Sequence, residues 1–185
     1  MGRRVEGYNT PSCVLSIEAA LALSAAQQTA LIMNKSLKVY DCYRPQRAVD
    51  DFVAWSANNY DLLMKDEFYP TMDKVDLFPD YIATQSGHTR GSTMDLTLID
   101  LPEQEQEKYL PGQPLVSCFA SIDGGRYGDN SIDFGTGFDC LCSYANTTTT
   151  YITDVQHSRR KLLDLKSPLL NSSHYLISPI PSSSL

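Results

Sequence analysis

The sequence predicts one domain of mixed helices and strands, and three observations predict it. Helix-like and strand-like segments follow one another along the chain. Hydrophobic residues fill 42% of the 185 positions and aromatics 10%, enough apolar material for a single core. Turns marked by glycine and proline separate the segments.

The first of these turns holds Gly7, Asn9 and Pro11, and leads to a short apolar strand candidate at residues 13–15. Ser16 follows, a residue type that caps helix N-termini. Residues 17–33 are rich in Ala, Leu and Gln and free of Gly and Pro, which predicts a helix that Asn34 closes. Residues 37–43 alternate apolar and polar types with β-branched and aromatic members, the pattern of a half-buried strand. The strand ends at Arg44-Pro45. Pro45 suits the first turn of a helix, and Ala48, Val49, Phe52, Val53 and Ser56 recur at helical spacing through Asn58.

Residues 61–80 are broken by Pro70 and Pro79 and predict a loop with short helical turns. A glycine-punctuated loop over residues 85–92 presents His88, and the alternating stretch 93–99 predicts a strand that presents Asp95. Residues 101–117 carry an acidic run and read as a solvated excursion, with a further strand candidate at 116–122. Residues 123–150 are rich in Gly, Asp, Asn and Thr, and the run from Phe134 to Asp139 predicts one wall of a site. A last helix spans residues 152–165, with Val155, Leu162, Leu163 and Leu165 as its apolar positions, and Pro168 ends it.

Fifteen basic against 22 acidic residues give a net charge of −7, without the basic stripe that a phosphate backbone requires. Nucleic acid and anionic membranes are excluded as expected partners. No run approaches the length of a membrane span, and the first residues lack a basic and then apolar leader. These features predict a soluble chain and leave its compartment, cytoplasmic or periplasmic/secreted, open. Cys13, Cys42, Cys118, Cys140 and Cys142 are odd in number and lack CxxC pairs, so the expectation is buried thiols.

A metal that activates water needs imidazole and carboxylate ligands on rigid elements, with one position left open. His88 and Asp95 meet that need from a loop and the strand it enters. Alone, a His-x6-Asp spacing reads as a loop histidine and a turn aspartate rather than as a ligand pair. The surrounding segment, Ser86-Gly87-His88-Thr89-Arg90-Gly91-Ser92-Thr93-Met94-Asp95-Leu96-Thr97, is more specific. It resembles the Ser-x-His-x-x-Gly-x-x-x-Asp-Leu-Thr motif of the D-alanyl-D-alanine dipeptidase family, the zinc D,D-dipeptidases of the vancomycin-resistance type, which are related to D,D-carboxypeptidases. Asp41-Cys42-Tyr43-Arg44-Pro45-Gln46-Arg47-Ala48 resembles a second family segment. Weaker likenesses at Val5-Glu6-Gly7-Tyr8, Glu67-Phe68-Tyr69-Pro70, Gly137-Phe138-Asp139 and residues 159–163 extend the coverage to roughly residues 2–165.

The resemblance implies an α+β fold with a small, mainly antiparallel sheet flanked by helices. It implies Zn2+ as cofactor, held by His88, Asp95 and a second histidine, and the free dipeptide D-Ala-D-Ala of cell-wall peptidoglycan metabolism as substrate. Arg44 would stabilise negative charge on the tetrahedral oxygen, while Arg47 reads as a solvated helix residue. The family's Glu-x-x-His, which supplies the general base and third ligand, has no counterpart here. Glu6, Glu18, Glu67, Glu103, Glu105 and Glu107 all precede residue 108. His157 reads as a helix-surface residue. His174, in Asn171-Ser172-Ser173-His174, keeps the four-residue frame and is the candidate third ligand, with Asn in the base position. Asp139 and Asp164 are carboxylates that nothing in the sequence positions as a substitute base.

The expected organisation is therefore a dipeptidase-like domain over residues 1–165, short at its N-terminus, and a divergent, poorly ordered Ser- and Pro-rich tail over 166–185. Two functional readings follow. One is a zinc dipeptidase of slow turnover. The other is a remnant of that fold which binds a D-Ala-ended peptide or a metal without cleaving it.

Overall fold

A computed structural model describes residues 1–110, 112–166 and 176–178. In chain order the elements are helix α1 (Ile17–Ile32), strand β1 (Lys35–Asp41), helix α2 (Gln46–Ala57), the single turn α3 (Lys65–Phe68), strand β2 (Thr93–Asp100), helix α4 (Asp154–Lys166) and strand β3 (Leu176–Ser178). The sheet order is β1-β2-β3. β1 runs antiparallel to β2, with Leu37 opposite Leu98 and Val39 opposite Leu96. β3 runs parallel to β2, with Asp95 opposite Ser178. This is the α+β class with a mainly antiparallel sheet. No helix among the described residues is long and apolar enough to cross a membrane.

Ser16 starts α1 by accepting a hydrogen bond from the Ala19 amide at 3.2 Å. Asn34 lies just beyond the helix at a φ of 54°, and its amide closes the last turn on the Leu31 carbonyl. This is a left-handed stop for which Asn is suited. The face of α1 that is buried carries Ala19, Ala26 and Ala30, and such small side chains let the helix backbone lie close to the sheet.

β2 is the central strand and is buried from Thr93 to Ile99, rather than half-buried as its alternation predicts. Met94, Leu96 and Leu98 join Ala19, Ala30, Phe134 and Leu163 in the main core. Burying the leucine and methionine side chains contributes roughly 1.5–3 kcal/mol each. The opposite face of β2 carries Thr93 and Asp95, which line a cavity. Strand β1 stops at Asp41 rather than at Tyr43, because the next backbone groups leave the ladder: the Tyr43 amide donates to the Val14 carbonyl at 3.0 Å.

A second core forms under α2, where Trp55 meets Tyr69 edge-on with ring centroids 5.6 Å apart, beside Leu77 and Ile82. Lys74 is buried against it. The ammonium of Lys74 donates to the carbonyls of Trp55 and Asn58, both at 2.9 Å, and sits 4.1 Å from the centre of the Trp55 ring. One side chain thus satisfies two carbonyls at the end of α2.

Two expectations from the sequence are corrected. Residues 116–122 form turns, not a strand, because their backbone groups bond to loops: the Cys118 amide donates to Glu67 and its carbonyl accepts from Gly137. The cysteines are not five buried thiols. Cys13 is bridged to Cys42 and Cys118 to Cys140, leaving Cys142 as a buried thiol. Partners far apart in sequence become neighbours only when the chain folds, with Cα atoms 5.1 and 5.4 Å apart. Closing the 29-residue separation between Cys13 and Cys42 contributes about 3–4 kcal/mol by constraining the unfolded chain.

Replacing Lys74 by Ala takes one hydrogen bond from each of two helix-end carbonyls, which keep their backbone amide donors Asn58 and Asp61, and removes the cation from the Trp55 ring. Urea denaturation is expected to show a loss of about 2–3 kcal/mol, and an unchanged midpoint would show that the cap carries no stability.

Candidate metal centre and its cavity

The β1–β2 ladder breaks register between Val39 and Asp41, so that Asp41 comes to stand opposite Asp95. Bulges of this kind re-aim side chains near functional sites. Here the irregularity sets two carboxylates side by side at the end of the strand pair. Arg44, three residues beyond Asp41 at the approach to α2, lies between them. The Nε of Arg44 donates to Asp41 Oδ2 at 2.8 Å and its Nη2 to Asp95 Oδ2 at 3.2 Å. Burial alone would lower the guanidinium's pKa, but the carboxylates of Asp41 and Asp95 raise it above the ordinary arginine value, so the charge is permanent.

His88 sits on a 3-10 turn over Gly87–Arg90. Ser86 opens the turn by accepting from the His88 amide at 3.3 Å, and Gly91 closes it at a φ of 69°, a conformation glycine adopts without strain. The imidazole is buried. Its Nδ1 lies 2.7 Å from the backbone carbonyl of Cys42. A carbonyl oxygen only accepts, so Nδ1 carries the proton. In the neutral ring this leaves the Nε2 lone pair directed toward Asp95 Oδ1 at 3.3 Å. Two acceptors then face each other with nothing between them to share, which is the arrangement a cation completes.

Asp41, His88 and Asp95 offer ligand-type atoms that all lie within 4.8 Å of one another. They are not equivalent. Asp41 Oδ1 accepts from the Cys42 amide at 2.9 Å, and its Oδ2 accepts from the Tyr8 hydroxyl at 2.7 Å as well as from Arg44. Its approach to His88 is on the Nδ1 side, at 3.9 Å, where the proton already points to Cys42. Asp41 therefore serves as an anchor for Arg44 and Tyr8, and His88 with Asp95 forms the open donor pair. Burial, and then Asp41, push the Tyr8 hydroxyl above its usual pKa, so it stays a donor. Gly7 lets Tyr8 reach this position: its φ is 100°, and a Cβ there would meet the Ala48 amide nitrogen at 2.7 Å.

Arg44, His88 and Asp95 open on a cavity of about 400 Å³, a size suited to a small ligand. Phe52, Trp55, Phe68, Tyr81, Phe138 and Leu141 contribute apolar walls. Arg44 also lies over the Phe52 ring at 5.2 Å. Asp139 lines the same cavity with a φ of 56°. The residue is exposed to solvent at the cavity edge, which screens the effect of the protein packed around it. Desolvation by the neighbouring protein atoms, followed by the charge of Asp95, pushes its carboxyl up to about 6. No hydrogen bond to Asp139 is found among the described residues.

The structure thus brings together Arg44, His88 and Asp95. Arg47 is exposed on α2 and His157 lies in α4, away from the cavity lining. His174 lies outside the described residues, as does the side chain of Asp164. Sequence reasoning misses Tyr8 as a support and does not position Asp139 as a base, whereas Asp41 is legible as an acidic neighbour that Arg44 can bridge. Tyr8 does lie inside a segment singled out for its resemblance, so position within a motif was the available signal.

Comparison with known proteins bears on the same stretch of chain. A family model described as D-ala-D-ala dipeptidase matches residues 1–106, which contain β1, the histidine turn, β2 and the whole donor pair. The D-alanyl-D-alanine dipeptidase of Enterococcus faecalis is 41% identical over 105 residues, 56% of this chain and 52% of that protein. The corresponding protein of Streptomyces coelicolor is 40% identical over 123 residues, 66% of this chain and 61% of its own. The chain spans about half to three fifths of the length of these curated relatives. With more than half of its residues matched by the family model, and with Arg44, His88 and Asp95 all inside that match, the chain belongs to the D-Ala-D-Ala dipeptidase family.

Proposed function

We propose that the chain is a zinc-dependent dipeptidase acting on D-Ala-D-Ala, a small free substrate drawn from cell-wall peptidoglycan metabolism. The observation that carries the reading is the acceptor pair of His88 Nε2 and Asp95 Oδ1, 3.3 Å apart on the wall of a cavity that also holds a fixed guanidinium. An imidazole and a carboxylate are a donor set that zinc takes, and the Nδ1 hydrogen bond to Cys42 is the outer support such ligands use. His174 stands as the candidate third ligand. Zinc bound there supplies Lewis acidity to the substrate carbonyl.

The chain's own residues do the remaining work. Arg44, held from behind by Asp41 and Tyr8, keeps a positive charge over the position where the carbonyl oxygen gains negative charge. The apolar walls exclude bulk water from the small dipeptide and strengthen that charge. Asp139 is a carboxylate on this cavity that no arginine or hydroxyl hydrogen-bonds, near enough to Asp95 to feel its charge, and it is the group we assign to accept the proton from the attacking water. Its carboxyl lies nearer neutrality than an ordinary aspartate's, as a general base requires.

A second reading keeps the fold and the binding but not the cleavage. It is favoured by Asn171-Ser172-Ser173-His174, where Asn stands at the position that the base occupies in the family's Glu-x-x-His. Calorimetric zinc titration combined with a D-Ala release assay separates the two. The dipeptidase reading expects zinc binding and metal-dependent release, slower than in relatives carrying the glutamate by a factor on the order of 10²–10⁴, and abolished by a chelator. Binding of zinc or dipeptide without release selects the second reading, and no zinc binding at all removes both metal roles. In the active case, Arg44→Ala is expected to lower kcat/KM on the order of 10²-fold even at saturating zinc, with zinc affinity altered as well because Asp95 loses its arginine partner.

Asp139 yields a separate expectation for the metal-free protein. Its folded pKa is raised above the unfolded value of 3.8 to about 6, so the folded state binds this proton more tightly and stability falls as pH rises between the two values. Asp139→Asn should therefore raise the thermal midpoint at pH 7.5, and the gain should vanish by about pH 4. A midpoint equal to the parent's at pH 7.5 would show that Asp139 is solvated like a surface carboxylate.

A further inference from the structure

The residue whose carbonyl orients His88 is itself one end of a disulfide. We infer that the Cys13–Cys42 bridge is a thiol-sensitive support of the metal site: breaking it frees the segment at 13–16, which braces both Cys42–Tyr43 and the His88 turn, and so loosens the fixed orientation of the His88 ring. The inference rests on the reading of His88 as a zinc ligand.

Three segments meet at this point. Cys42 accepts from His88 Nδ1 at 2.7 Å, and its side chain is tied to Cys13 with Cα atoms 5.1 Å apart. The next residue, Tyr43, donates its amide to Val14 at 3.0 Å. From the other end of the bridge, Ser16 donates to Gly91 at 2.8 Å, and Arg44 donates to the His88 carbonyl at 3.2 Å. The bridge and these bonds form a closed ring through residues 13–16, 42–44 and 88–91. The disulfide is its only covalent crossing. Remove it, and the segment at 13–16 keeps its place by individual backbone bonds, each contributing about 1 kcal/mol.

Access is one-sided. Cys42 is buried at 2% exposure, whereas Cys13 is exposed at the surface. A small thiolate can attack Cys13 Sγ, forming a mixed disulfide and expelling Cys42 as a thiolate that takes up a proton. A second small thiol then attacks the mixed disulfide. The products are two cysteine thiols and one oxidised small-molecule disulfide, so two electrons pass from the small thiols to the bridge. The Cys118–Cys140 bridge is buried at both ends, at 3% and 0% exposure, and is shielded from the same reagent.

The full chain carrying Cys13→Ala tests the inference without reductant and leaves Cys42, its carbonyl and the second bridge in place. Two measurements are made after circular dichroism confirms folding. Long-range proton–nitrogen spectra of the imidazole rings, of which there are three, report the His88 tautomer in metal-free protein. Calorimetry reports zinc affinity. The parent is expected to hold His88 in the Nδ1–H form, and the variant to show a mixture of tautomers with zinc affinity weakened about tenfold or more, the usual effect of losing an outer support. Should Cys13→Ala fail to fold, the parent treated with low glutathione and then reoxidised supplies the same comparison. An unchanged tautomer together with unchanged zinc affinity overturns the inference. A shifted tautomer in a protein that takes no zinc in either form upholds the hold of the bridge on His88 and overturns the ligand assignment instead.

Discussion

Two carboxylates standing opposite each other on neighbouring strands repel, and the cation of Arg44 is what allows Asp41 and Asp95 to do so here. Like charges directly opposed across a strand pair destabilise it, yet the guanidinium binds both at hydrogen-bonding distance. The rest of the site follows from this balance. Asp41 is consumed in holding Arg44 and Tyr8. Asp95 keeps one oxygen for Arg44 and turns the other toward His88. Without the arginine the bulge that brings Asp41 level with Asp95 would be an electrostatic liability. With it, the bulge is the device that joins the two halves of the centre.

The energetics of this arrangement explain why so much ordinary structure surrounds it. A half-buried ion network gains from low dielectric only when every charge is matched. The covering α1 helix, with its alanine face, and the core of Met94, Leu96 and Leu98 hold β2 rigidly enough for that matching to persist. Asp139 is the exception, a carboxylate on the cavity wall with no hydrogen bond among the described residues, where the charges of Arg44 and the Met1 ammonium do not outweigh desolvation and the charge of Asp95. Unmatched charge of this kind costs stability and persists at sites where it has a chemical use.

Much of the domain was legible in the sequence. Ser16 and Asn34 marked both ends of α1, the Arg44-Pro45 junction marked the start of α2, and the segment around His88 and Asp95, through its resemblance to a family motif, pointed to their shared cavity. These signals are local, set by capping preference, side-chain period and turn chemistry. What could not be read is non-local. The pairing of Cys13 with Cys42 and of Cys118 with Cys140 depends on segments brought together by the sheet. The central place of β2 was hidden because a strand covered on both faces can still alternate in sequence when one face is lined by Thr and Asp. The strand candidate at 116–122 failed for the converse reason: its β-like composition serves a disulfide and loop bonds.

The order β1-β2-β3 has a consequence for how the centre can be lost. Asp95 belongs to the strand with neighbours on both sides, so its backbone has no free edge from which to fray. Sub-global opening in proteins begins at termini, loops and edges, and reaches central strands last. The carboxylate half of the donor pair therefore opens to solvent only when the whole sheet comes apart, whereas the histidine half rides on a short turn whose openings are local. Slow amide exchange at Asp95 beside faster exchange in the Gly87–Arg90 turn is the signature of a centre with one permanent and one yielding arm.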